Sequence, residues 1–310
     1  MNPLCWGRMS SDRDVESGGS LFGESDQGID SPAYYHKKDT QSSLRAEETD
    51  VSYFYINLSS AVERRASAEK QARDFGIDLQ RIEAIAGRDL AENSLSSYDR
   101  KRRRQEFASD LTMNEHACIL SHCKALRAFL DSGAEYGVIL EDDFVLQAHF
   151  RESIDYLTRR TSGWQCLKLY TGDGQLFPLG PRRPDAPVRL VFPKKLPWVA
   201  VGTLYTRAGA LLTLDGFRRY WMGYDVQWAW HLLSGRIPVC GVSPSLVTTS
   251  DPNNEASTID AGDPRDAHFR TGRQEQTWRQ YAWHRLAVWR MSWGKWRMRR
   301  SMKHVLRVDN

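Results

Sequence analysis

No stretch of the 310-residue chain approaches the roughly 18 consecutive apolar residues that a membrane-crossing helix needs. The first nine residues hold no apolar core behind a basic start, so no secretory leader is expected and a cytoplasm-facing chain is. Cysteine is scarce. The five present (Cys5, Cys118, Cys123, Cys166 and Cys240) are odd in number, and Cys118 and Cys123 are too far apart for the CxxC of a zinc or redox site. Reduced thiols packed as small hydrophobes are expected. The histidines other than His122 form no spaced metal set, and no internal repeat marks a solenoid. Acidic residues are missing altogether from 276–308.

What is present divides the chain into three. Residues 1–50 carry 10 acids against 5 Lys and Arg, a net of −5, so of the formal +4 the other 260 residues hold +9. Residues 1–48 are rich in Ser, Gly and Asp with little apolar periodicity, and are expected to form a disordered N-terminal extension. Residues 49–255 alternate strand and helix patterns. "DVSYFYINLSS" suits a buried strand, "AVERRASAEKQARDFG" a helix capped by Ser59 or Ser60 and stopped at Gly76, and "LQRIEAIAG" a second strand. This βαβ unit predicts an α/β fold with a mostly parallel sheet flanked by helices. "NEHACILSHCKALRAFLDSG" follows as a helix with Asn114 as cap, then "YGVILEDD" as a strand. A helix over about 150–158, a strand at "WQCLKLYTG", a proline-rich loop, a strand running into a helix near Thr206 and a late strand complete the domain. Residues 256–310 are expected to be a basic, Trp-rich helical extension. Trp278, Ala282, Leu286, Trp289, Trp293 and Trp296 fall within about 80° of arc on a helix at 100° per residue.

One strand ends in a charge cluster. Val138-Ile139-Leu140 runs into Glu141-Asp142-Asp143. Ligands of open α/β sheets bind beyond the carboxyl ends of the strands. Extended alternation sends Glu141 and Asp143 to one side, where like charges repel unless a proton or cation lies between them. Mn²⁺ or Mg²⁺, hard ions that prefer oxygen, would serve. On residue types alone, a solvated acidic strand end is the simpler alternative. Asn57 and Arg64, at the end of the first strand and the start of its helix, suit nucleotide phosphates or uracil. A solvated helix face is the competing explanation for Arg64. Lys168 could reach phosphate, but an edge-strand lysine is the simpler reading.

Ile56-Asn57-Leu58, Arg64-Arg65, Ala84 to Gly87, Glu115 with Cys118, Ser121-His122, and Leu140 to Asp143 occur in this order. The ordered set resembles glycosyltransferase family 25, the transferases of lipopolysaccharide and lipooligosaccharide biosynthesis, over about residues 51–250. The resemblance implies a GT-A-like nucleotide-sugar fold and a variant DxD motif in which Glu141 and Asp143 hold the metal. It implies an inverting transfer of a hexose, commonly galactose, from a UDP-sugar to a glycan acceptor. Ser121, His122 and Asp142 join Asn57 and Arg64 as the expected donor-side residues. An inverting reaction needs a base at the acceptor hydroxyl. Asp225, Asp173 and Asp251 are candidates, and Asp225 best matches the family's late Asp; a helix-capping Asp is its structural alternative. The family usually has Pro or Val where Tyr224 stands.

A lipid-linked acceptor would pair with a membrane-surface contact through 278–307, since Trp and Lys/Arg suit a headgroup boundary. Packing of the Trp stripe onto the α/β domain and nucleic-acid binding are the alternatives, and no nucleic-acid motif accompanies the tail. The second functional class is a non-catalytic nucleotide- or nucleic-acid-binding protein derived from a transferase fold.

Overall fold

In the computed structural model the described residues are 50–308, apart from 92, 94, 108, 173, 181–182, 195–198, 236 and 251–276. The expected 1–48 extension, Cys5, and the base candidates Asp173 and Asp251 lie outside them. Strands β1 (Val51–Asn57), β2 (Leu79–Glu83), β3 (Tyr136–Glu141), β6 (Cys166–Lys168), β7 (Leu176–Pro178), β8 (Arg189–Pro193), β9 (Gly202–Thr206) and β10 (Val239–Ser243) form one sheet, ordered β2-β1-β3-β9-β6-β10-β8-β7. Short ribbons join β4 (Phe144–Leu146) to β11 (Val247–Thr249) and β5 (Thr161–Ser162) to β12 (Arg307–Val308).

The sheet is mixed. Only β1·β2, β1·β3 and β6·β10 pair in parallel. Yet the pairings give β2, β1, β3, β6, β10 and β7 a common direction, with only β9 and β8 reversed. The α/β, GT-A-like expectation therefore holds for strand direction. It misses the insertion of β9 between β3 and β6, which makes their neighbour contacts antiparallel. The insertion also leaves the carboxyl ends of β1, β3 and β6 on one edge.

Local chemistry explains the elements. β1 buries Tyr53 to Asn57 continuously, as a strand covered on both faces must. Tyr53 meets Phe150 of α4 (Phe150–Arg160) at 6.2 Å between ring centroids, and Phe150 meets Phe75 of α1 (Val62–Phe75) edge-on. The opposite face takes α3 (Met113–Asp131), whose Phe129 ring fills the space a side chain would need at Gly137. Full burial of each such aromatic contributes about 1.5–3 kcal/mol. Gly76 ends α1 in the left-handed region at φ 60°, as expected. The cap assignments need correction. α1 begins after Ala61 with no side-chain cap, and α3 is capped by Thr112, not Asn114. Thr112 and Glu115 form a reciprocal capping box, so the start signal lay two residues earlier.

Helix α5 (Arg207–Gly216) follows β9 directly, with Thr206 as cap, and packs on α3 and on α6 (Tyr224–Gly235). Helix α2 (Arg100–Glu106) and helix α7 (Trp278–Val305) complete the fold, α7 lying on α2, α6 and β10. The proline-rich loop contains β7, an edge strand where Pro178 is tolerated. Among the described residues no helix is long and apolar enough to cross a membrane.

Gly209 is the tightest joint. A Cβ there would collide with the backbone carbonyl of Gln165, just before β6. Gly209→Ala is expected to lower unfolding free energy by about 1–3 kcal/mol, measured from urea midpoints. Gly174→Ala, with nothing within 4 Å of the added carbon, is the control and should shift it little.

Candidate functional site

The site begins with register. β1 and β3 pair with Ile56 opposite Glu141, so Asn57 and Asp142 meet just beyond the paired ends. Asn57 is 1% exposed. Its Nδ2 donates to Asp142 Oδ2 at 2.7 Å and to Ala61 O at 3.1 Å, and its Oδ1 accepts from Arg81 Nε at 3.1 Å. Arg64, in the first turn of α1, donates from Nη1 to Asp142 Oδ1 at 3.0 Å. Both Asp142 oxygens are therefore engaged by the protein. Arg81 is a member of this cluster that sequence reasoning missed; it stands opposite Tyr55 in the β1·β2 register, and its guanidinium reaches Asn57, two residues on.

Extended alternation stops at Glu141. Residues 142 and 143 form a turn before β4, so the triplet does not present its side chains as a strand would. Asp143 is directed to β11. Its Oδ2 accepts from Thr249 Oγ1 at 2.5 Å and its carbonyl from Ser250 N at 2.7 Å. Its Oδ1 is buried with no hydrogen-bond partner. Burial, and to a lesser degree the Glu141 charge, push its pKa above the ordinary carboxylate value. Glu141 turns toward α3, where its Oε1 accepts from His122 Nε2 at 3.0 Å.

His122 is 3% exposed and stacks on Tyr224 at 3.7 Å. Tyr224 stacks in turn on Phe217 and meets the Tyr205 hydroxyl at 3.3 Å. This stack gives a packing reason for an aromatic ring where the family usually has Pro or Val. Ser121, one residue before, donates to Ala117 O at 2.7 Å and accepts from Ile85 N at 2.9 Å. It thereby ties the loop after β2 to α3.

Asp225 lies in the first turn of α6, where the helix dipole favours a carboxylate. Lys168 Nζ stands 3.7 Å from its Oδ1, an ion pair longer than a hydrogen bond, and the same ammonium donates to Val199 O at 2.6 Å. Burial pushes the Asp225 carboxyl up, Lys168 opposes this, and Glu141 adds to it. Burial likewise lowers the Lys168 ammonium. Lys168 is not the edge-strand lysine expected. It is 2% exposed, on a strand between β9 and β10, and 4.9 Å from the Trp228 ring centroid. The misassignment has a plain cause: strand order in the sheet is not written in the local sequence.

Two ligand sets could hold a cation, and both use Glu141. Glu141 with Asp143 offers oxygens alone, which suits a hard ion. Cys118, His122 and Glu141 have donor atoms within 4.8 Å of one another. Burial and the Glu141 charge hold the Cys118 thiol well above its usual pKa, which opposes the thiolate a softer ion needs. Cys118 is partly exposed and Cys123, Cys166 and Cys240 are buried, and all are free thiols.

The mixed α/β sheet flanked by helices, with an acid cluster and a Lys–Asp ion pair at its strand ends, is consistent with a GT-A-like fold. Residues 51–177 match the model of glycosyltransferase family 25 (LPS biosynthesis protein). A glycosyltransferase 25 family member of Aedes aegypti is 26% identical over 181 residues, 56% of this chain and 28% of that protein. Procollagen galactosyltransferase 1-B of Xenopus laevis is 25% identical over 175 residues, 54% of this chain and 27% of that protein. The chain thus spans under a third of the length of the curated relatives it matches.

The Lys168–Asp225 pair is directly testable. Lys168→Met removes the cation that holds the Asp225 pKa down. Carboxyl NMR titration should place Asp225 at least about one unit higher than in wild type. An unchanged or lower value would count against the pairing.

Proposed function

We propose that this chain is a glycosyltransferase that moves a hexose, galactose in the first instance, from a UDP-sugar to a glycan acceptor in lipopolysaccharide or another cell-surface polysaccharide. The family match over residues 51–177 supports the reaction class, and the name of the Xenopus relative supports galactose over other hexoses. The observation that carries the reading is the division of labour in the acid triplet. Both Asp142 oxygens are engaged by Asn57 and Arg64, whereas Asp143 keeps a buried oxygen without a hydrogen-bond partner. A buried, partnerless carboxylate oxygen costs free energy unless something is to meet it. Glu141 and Asp143 would hold Mn²⁺ or Mg²⁺, which when bound offsets the charge of the diphosphate.

The remaining roles belong to the chain's own groups. Asn57 and Arg64 fix the turn through Asp142, and with Ser121 and His122 they build the donor side. Asp225 takes the proton of the acceptor hydroxyl. That oxygen bonds to the anomeric carbon from the face opposite the departing UDP, the carbon–phosphate-oxygen bond breaks, and the configuration inverts. A carboxylate raised above its usual pKa is a better base than an ordinary one. Activity should therefore rise with pH through an apparent pKa above the normal carboxylate range. Lys168, 3.7 Å away, keeps Asp225 ionised against burial.

Asp143→Asn should reduce Mn²⁺-dependent turnover of UDP-galactose by about 100-fold or more. It should also abolish the rise in melting temperature that Mn²⁺ gives wild type. In wild type, Mn²⁺ binding should weaken as pH falls through the raised pKa of Asp143, because a proton then competes with the cation. A variant that turns over UDP-galactose at the wild-type rate would sink this reading. Mn²⁺-independent nucleotide binding without turnover by wild type would favour the non-catalytic alternative.

A further inference from the structure

Helix α7 has two opposed faces. At 100° per residue from Trp278, Gly294, Met298 and Met302 lie at about 160–240°. Met298 and Met302 are 3% and 0% exposed, and Gly294 sits against Leu233 of α6. That face is the seat on the fold. The stripe Trp278, Leu286, Trp289, Trp293 and Trp296 occupies about 0–80°, the opposite side of the helix. These residues are exposed, between 41% and 75%. Trp289 stacks on Trp293 and Trp293 on Trp296, at 6.2 and 5.2 Å, so the aromatics form one continuous ridge. The stripe thus does not pack back onto the domain. Exposed apolar ridges of this kind are uncommon on soluble surfaces and mark a contact.

The ridge has basic shoulders. Arg285 and Lys303 fall at about −20°, and Arg290 and Arg297 at about 100–120°. Arg290, Trp293 and Arg297 also line a cleft of about 560 Å³ between α6 and α7. Residues 276–308 bring nine Lys and Arg and no acid. Tryptophan between rows of cations matches one environment well: rings at the acyl boundary, with long basic side chains reaching back to anionic headgroups. A helix of 28 residues, about 42 Å long, would lie in the interface plane without crossing it.

We infer that the Trp289–Trp293–Trp296 face of α7 seats this protein on an anionic lipid bilayer. None of the ridge residues belongs to the proposed site, and attachment is read by binding alone, so its test is independent of turnover. Full-length protein is to be floated with vesicles containing phosphatidylglycerol and with vesicles of phosphatidylcholine only. Binding is expected to the first, to weaken with added salt, and to be much lower to the second. Trp289→Ala/Trp293→Ala/Trp296→Ala should lose about tenfold or more of the bound fraction while keeping its melting temperature. Arg290→Gln/Arg297→Gln should lose the preference for anionic vesicles and leave intrinsic Trp fluorescence in buffer unchanged. Binding of both variants at the wild-type level would overturn the inference. So would a concentration-dependent dimer in buffer that buries the same Trp residues, or tight binding to oligonucleotides with none to vesicles.

Discussion

Asn57 and Asp142 meet at the ends of two parallel strands, and the rest of the site is referred to that contact. A hydrogen bond to a charged group contributes about 1.5–3 kcal/mol, and here it is doubled by the Arg64 pair. Its larger effect is geometric. With Asp142 pinned, the chain must turn at 142–143, which takes Asp143 toward β11 and leaves Glu141 facing α3. Three adjacent carboxylates thereby acquire three environments: one neutralised by a guanidinium and an amide, one under a hydroxyl with an oxygen to spare, and one against an imidazole.

The opposite half of the edge solves a related problem with one cation. Lys168 and Asp225 come from a strand and a helix far apart in sequence and meet under the Trp228 ring. Burial drives each toward neutrality, the carboxyl upward and the ammonium downward. Mutual attraction restrains both shifts.

Strong local patterns made half of this legible in the sequence. β1, α1, β2, α3 and β3 carry continuous apolar runs or helical periodicity, and the family motifs lie on them, so Asn57, Arg64, His122 and the acid triplet could be named at once. Long-range order was not legible. Nothing near Lys168 says that β9 enters the sheet beside β6. Nothing near Asp143 announces a partner at Thr249, more than a hundred residues later. The capping box of α3 was readable, since Thr112 and Glu115 have the right spacing, but Asn114 looked the stronger cap by residue type.

Helix α6 joins two features that have been treated apart. Its first turn holds Asp225, and Leu233, eight residues on, supports Gly294 of α7. The separation along the helix is about 12 Å, fixed by hydrogen bonds rather than by a loop. A bilayer beneath α7 would therefore set the height and tilt of Asp225 through a rigid strut. Acceptor hydroxyls would then be selected by their distance from the lipid surface as well as by their chemistry, and chain length would be measured as on a ruler.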